Sequence, residues 1–144
     1  MPTIWTIGYE QTTMSAFLGA LQGAGVELVA DVRAIAASRR PGFSKTALAA
    51  NLAEAGIGYR HFRALGTPPE GRAAARALDL PTLKRVYAGQ LELPEALAAG
   101  AELADLAHHR RVALLCYERE PACCHRTLLR KAVLPDCEVV DLYP

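Results

Sequence analysis

Val112-Ala113-Leu114-Leu115-Cys116-Tyr117-Glu118-Arg119-Glu120-Pro121-Ala122-Cys123-Cys124-His125-Arg126 is the stretch on which the fold turns. Val112 to Tyr117 is a continuous apolar run without alternation, the pattern of a strand buried on both faces. Such a strand belongs at the centre of a parallel sheet. Downstream, Ala122 to Leu134 spaces Leu128, Leu129 and Val133 as one helical face, so the stretch reads as strand, loop, helix.

Working outward, the same alternation recurs. Pro94 to His108 carries Leu97, Leu103 and Leu106 at helical spacing, and Glu138 to Leu142 reads as a last strand. Toward the amino terminus, Ile4 to Gly8 and Val26 to Val32 are β-branched or aromatic runs that predict two more strands. Between them Thr12-Thr13 precede Met14, Phe17, Leu18 and Leu21, the spacing of a helix. Ser44 is placed as the N-cap of a helix running through Leu48 and Leu52 to a C-terminal glycine at Gly56, and Ile57 to Phe62 is a short third strand. Arg63 to Leu93 is the least regular part. Its turn chemistry (Gly66-Thr67-Pro68-Pro69) and Pro81 predict short helices with an ordered loop. Strands alternating with helices specify an α/β fold: one three-layer domain over residues 1–144, with a mainly parallel open sheet of about five strands and helices on both faces.

Composition narrows the class. The 144 residues match the soft prior of roughly 150 for one domain. With 51% hydrophobic and 22% charged residues, collagen-like, fibrous and disordered chains are excluded. A formal charge of +1 provides no bulk field for polyanions, so any anion site must be local. No apolar run approaches the roughly 18 residues that would span a bilayer, and Met1 to Gly8 has no basic region ahead of an apolar core. The expectation is a cytoplasmic protein that does not enter membranes. In that compartment Cys116, Cys123, Cys124 and Cys137 are expected to be reduced thiols.

In an open α/β sheet ligands sit beyond the carboxyl ends of the strands, so the residues ending each strand are the candidates. Asp31 and Arg33 follow the second strand, spaced to point the same way. They read either as catalytic acid and anion ligand or as an Asp–Arg brace ordering the next loop. Arg33, Arg39, Arg40 and Lys45 form a basic stretch feeding a helix N-terminus, which suits phosphate or carboxylate. Tyr9 follows the glycine of the first strand, where its ring could meet a ligand. The densest chemistry is the late loop. In one reading His125 and Arg126 hold an anion while Glu118 acts as acid, base or nucleophile. In a second, Cys124 at the helix N-terminus is a thiolate nucleophile. In a third, Cys116, Cys124 and His125 bind metal, but no Cys-x-x-Cys pair is present and adjacent Cys124 and His125 should diverge on a helix. No metal and no cofactor are therefore assigned. Cys116 and Cys123 read as packed core thiols.

Thr6-Ile7-Gly8-Tyr9, Asp31-Val32-Arg33, Ser38-Arg39-Arg40 to Phe43-Ser44-Lys45, Leu65-Gly66, Leu115-Cys116-Tyr117-Glu118 and Cys124-His125-Arg126, in this order, resemble the bacterial and archaeal family called domain of unknown function 488. The resemblance covers almost the whole chain and implies a small α/β domain without specifying a substrate. The family often has His where Tyr9 stands and a small residue where Tyr117 stands.

The expected function is an enzyme that binds an anionic small molecule, a nucleotide or another phosphate-containing substrate, with hydrolytic or glycosyl-transfer chemistry. Glu118, Cys124 and Asp31 are the catalytic candidates; Tyr9, Arg33, Arg39, Arg40, Lys45, His125 and Arg126 are the binding candidates. The alternatives are a thiol enzyme using Cys124 and a non-catalytic module binding nucleotide or nucleic acid. They are separated by thiol reactivity and by the salt slope of binding.

Overall fold

The computed structural model describes residues 2–144. Five strands, β1 (Thr3–Gly8), β2 (Leu28–Asp31), β3 (Gly58–His61), β4 (Val112–Cys116) and β5 (Glu138–Leu142), form one sheet in the order β3-β2-β4-β1-β5. Every pairing is parallel. The apolar run 112–116 occupies the middle, as its lack of alternation requires, and all five of its residues are buried. Tyr117 leaves the strand and is exposed.

Six helices cover the two faces: α1 (Met14–Gly23), α2 (Lys45–Glu54), α3 (Pro69–Arg76), α4 (Leu80–Leu91), α5 (Pro94–His109) and α6 (His125–Val133). Strand residues point alternately to the two sides, which divides the core. On one side Phe17 and Leu21 of α1 and Leu48 and Leu52 of α2 pack on Trp5, Ile7, Val29, Ala113 and Leu115. On the other, Tyr87, Leu103, Ala107 and Leu129 from α4, α5 and α6 pack on Ile4, Leu28, Ala30, Val112 and Leu114. Each fully buried Leu or Phe contributes about 1.5–3 kcal/mol, so these two layers supply the main driving force. Among the described residues no helix is long and apolar enough to cross a membrane.

Local chemistry sets the helix ends. The Thr13 hydroxyl caps α1 by accepting from the Ala16 amide. Ser44 stands at the N-cap of α2, but its hydroxyl instead accepts from the Ser38 amide and donates to the Ser38 carbonyl, closing the basic loop on itself. Gly56, at φ +78°, follows α2 in the left-handed conformation that glycine adopts without steric cost. The irregular middle resolves into a one-turn 3₁₀ helix (Arg63–Leu65), α3 and α4.

One helix boundary differs from expectation. The last helix begins at His125, not Ala122, because Pro121 opens a separate 3₁₀ turn (Pro121–Cys123) and Cys124 is extended, at φ −132° and ψ 155°. Cys124 is therefore an N-cap.

The topology places the site. From β2 the chain leaves toward β3; from β4 it leaves across β1 toward β5. Adjacent strands whose connections depart in opposite directions open a crevice at their carboxyl ends. Asp31 of β2 is level with Leu115 of β4, and Gly8 of β1 is level with Cys116, so the three strands end together at this crevice.

Candidate active site

The crevice is a cavity of about 1000 Å³ lined by residues from three strand ends, from α3 and its flanks, and from the start of α6. Its lining carries both signs of charge: Arg39, from the loop after β2, and Arg72 and Arg76, from α3 beyond β3, are cationic; Glu10, after β1, and Glu118 and Glu120, after β4, are acidic. Among the described residues no carboxylate lies within ion-pair distance of any of these three arginines. Arg72 donates to the Thr67 carbonyl at 2.9 Å, which fixes it against the wall. Thr67 also lines the cavity; its hydroxyl oxygen is buried and has no hydrogen-bond partner among the described residues. Three large exposed apolar side chains, Ile35, Leu78 and Tyr117, line the same cavity.

Beneath the cavity is the Asp31–Arg33 pair. Asp31 is completely buried, and Arg33 grips it bidentately, Nε to Oδ1 at 2.9 Å and Nη2 to Oδ2 at 2.7 Å. Arg33 Nη1 donates to Tyr9 Oη at 3.1 Å and to the Phe43 carbonyl at 2.8 Å, and Tyr59 Oη donates to Asp31 Oδ2 at 2.5 Å. Burial alone would lower the Arg33 pKa, but the hydrogen bond and charge of Asp31 raise it well above the ordinary value. Burial and the bond to Asp31 likewise push the Tyr59 phenol up. With four of its N–H groups committed, Arg33 is built as a brace that joins β2 to the basic loop. Tyr9, stacked on Phe43 with centroids 4.6 Å apart, locks the same junction.

Glu118 is held by a fixed loop. Gly8 makes room for it: a Cβ there would lie 1.9 Å from the Glu118 carbonyl oxygen. The Glu10 amide donates to the Tyr117 carbonyl at 2.9 Å, and the Glu10 carboxylate accepts from the Arg119 amide at 3.0 Å. From behind, fully buried Arg126 donates to the Glu118 carbonyl at 2.6 Å. Burial pulls the Arg126 pKa down to about 10, while burial raises that of the Glu118 carboxyl against the opposing pull of its backbone bond and of Arg126. The Glu118 carboxyl lines the cavity beside the end of β4, where a side chain can reach a bound molecule.

The binding candidates therefore separate. Arg39 lines the cavity, as do Tyr9, Arg33 and His125. Arg40 turns back to donate to the Thr12 carbonyl, Lys45 opens α2 in solvent, and Arg126 lies behind the Glu118 loop. Arg72, Arg76, Glu10 and Thr67 were not picked out from sequence. The signal for Arg72 and Arg76 was the Pro-Pro turn opening an amphipathic segment with arginines four apart, inside a region that looked irregular; Glu10 stands beside Tyr9 at the end of the first strand.

The thiols require a correction. Cys116 and Cys124 are not free: their sulfurs are joined as a disulfide. The strand end and the extended N-cap face each other across the loop 117–123, a proximity that cysteine counting does not reveal. Cys137 is free and buried; Cys123 has a side chain outside the described ones. A second correction concerns Cys124 and His125, which converge. Donor atoms of Cys116, Cys124 and His125 all lie within 4.8 Å of one another. His125 Nε2 donates to the Val32 carbonyl at 2.7 Å, leaving Nδ1 facing both sulfurs at 3.7 Å each. Burial lowers the His125 pKa to about 4, so the ring is neutral.

A small groove of about 250 Å³ beside α5 and α6 is lined by Leu91, Leu97, Val133 and small apolar residues, and offers no polar side chain for chemistry. No curated protein and no solved structure matches the chain. The model of one family, Domain of unknown function DUF488, matches residues 13–133, and the chain belongs to that family.

Proposed function

We propose that the protein is an enzyme for an anionic, phosphate-containing substrate of the nucleotide class, cleaving or transferring it by hydrolytic or glycosyl-transfer chemistry. The observation that carries this reading is one crevice at the topological switch point lined by Arg39, Arg72 and Arg76 together with Glu118. The guanidinium forks suit phosphate oxygens. Ile35, Leu78 and Tyr117 supply apolar surface of the kind a base or sugar face covers. With the anion held by the arginines, Glu118 serves as general acid/base or nucleophile at the bond to be broken. Asp31 acts through Arg33, as a positioning residue for the basic loop.

The test has two parts. A thermal-shift panel of nucleoside mono-, di- and triphosphates and phosphosugars identifies stabilising ligands and candidate substrates. Glu118→Gln is then expected to abolish turnover of the substrate found while leaving its Kd within about threefold of wild type. Turnover retained by the variant removes Glu118 from the chemistry. Binding without turnover by the wild type, with a steep salt slope on single-stranded nucleic acid, favours the non-catalytic module instead.

A further inference from the structure

We propose that Cys116, Cys124 and His125, in their dithiol form, are the three protein ligands of a thiophilic divalent cation of the zinc class, with a fourth coordination position open to the cavity. The argument starts with the imidazole. Its Nε2 proton is committed to the Val32 carbonyl, so Nδ1 carries a bare lone pair inside the protein, aimed at two sulfurs. A disulfide has no S–H to offer, which leaves that buried acceptor unsatisfied, and an unmet buried acceptor is destabilising. A Lewis acid between the three atoms removes the deficit. A histidine ligand whose other ring nitrogen donates to a backbone carbonyl is also the usual outer-shell arrangement of metal-bound imidazole.

The sulfur–nitrogen distances agree with a tetrahedral ion. Zinc–sulfur and zinc–nitrogen bonds of roughly 2.3 and 2.1 Å at tetrahedral angles put sulfur and nitrogen about 3.6 Å apart. Both observed Sγ–Nδ1 separations are 3.7 Å. The two Cα atoms are 7.2 Å apart, outside the roughly 4.4–6.8 Å usual for disulfides; two thiolates on one ion stand about 3.8 Å apart, so the sulfurs must part on reduction for the site to form. Cys124 caps α6, where the Arg126 amide donates to its sulfur at 3.5 Å, and a helix N-terminus favours the thiolate that a metal ligand must be.

The ligand set of three with one open side is the pattern of catalytic rather than structural zinc. Cys116 and His125 both line the cavity, and Glu118 Oε2 is 2.9 Å from the Cys116 sulfur. The open position therefore faces the proposed substrate, with Glu118 beside it. The chemistry balances as follows. A dithiol reductant gives two electrons and two protons to the disulfide and leaves as its own disulfide. The cation then displaces both thiol protons to solvent and forms two metal–sulfur bonds and one metal–nitrogen bond. The site does not depend on the identity of the substrate.

Cobalt(II) tests it without any activity assay. Full-length protein reduced under argon and freed of reductant is titrated with Co²⁺, and zinc-loaded protein is examined by X-ray absorption. One Co²⁺ per chain, a thiolate-to-cobalt charge-transfer band, visible bands of tetrahedral cobalt, and a zinc shell of two sulfurs and at least one nitrogen are expected. Cys137→Ser should keep the band; Cys116→Ser and Cys124→Ser should each lose it. Failure of the reduced wild type to bind Co²⁺ or Zn²⁺, or a zinc shell of nitrogen and oxygen only, overturns the proposal whether or not the variants fold. Failure of the nucleotide panel leaves these readouts untouched.

Discussion

Removing the guanidinium of Arg33 while keeping most of its stem, as Arg33→Met does, is expected to destabilise the protein by about 3–5 kcal/mol. Four hydrogen bonds disappear, two of them to a carboxylate with no exposure at all. The Asp31 charge is left with the Tyr59 hydroxyl and the Arg33 amide, and breaking a buried pair by deleting one partner costs about that much because the other charge is stranded. Asp31→Asn strands the guanidinium and should cost a comparable amount. In the double variant neither charge is left alone, so the loss should fall short of the sum by about 2 kcal/mol, within the usual 0.5–3 kcal/mol for contacting residues. Urea unfolding of the four proteins followed by far-ultraviolet circular dichroism, fitted with a common m-value, measures the cycle. Single-variant losses below about 1 kcal/mol, or additivity within about 0.5 kcal/mol, would refute the brace and return Arg33 to the ligand-binding set.

The close approach of Gly8 to the Glu118 carbonyl predicts that Gly8→Ala displaces the loop 117–119. A fall in Tm and a fall in kcat larger than the loss in binding are expected, and wild-type kinetics in a folded variant would contradict it. Arg39→Gln and Arg76→Gln each remove a charge-assisted contact worth about 1.5–3 kcal/mol, so each should raise the Kd of a phosphate ligand by about 10- to 150-fold, measured by calorimetry. Acid should weaken the chelator-treated, metal-free protein through His125. Its folded pKa of about 4 lies below the ordinary 6.5, so the unfolded chain takes up the proton first as pH falls between these values. Between pH 7 and 5 the expected loss is about 2 kcal/mol, read from urea midpoints. The measurement belongs in Glu118→Gln, since the raised Glu118 carboxyl works in the opposite direction; a flat profile there would reject the buried neutral imidazole.

The inner strands were legible because a parallel sheet buried on both faces demands apolar runs: 112–116 is unbroken, 4–8 is interrupted only by Thr6, and 28–30 is apolar up to Asp31. Their carboxyl ends then named Asp31, Arg33, Glu118 and His125 without further information. What escaped depends on backbone conformation rather than residue type. Cys124 and His125 converge only because the N-cap is extended, whereas a helix continued back to Ala122 would have splayed them. Of the four basic residues in and after that loop only Arg33 and Arg39 line the cavity, since the Ser38–Ser44 closure and the bond to Thr12 turn Arg40 away, and a loop has no periodicity from which to read that. Arg72 and Arg76 lay unread because Gly66, whose Cβ would collide with Ala34 at 2.2 Å, folds the chain after β3 over the segment after β2 and so carries α3 to the crevice.

Amide NMR of isotopically labelled protein, titrated with the strongest stabiliser from the phosphate panel, tests the central claim most directly. Shift changes are expected to concentrate at residues 33–39, along α3 and at 116–120, the segments that line the crevice. Changes confined to the groove beside α5 and α6, or no saturable change with any phosphate ligand, would contradict a substrate site between β2 and β4.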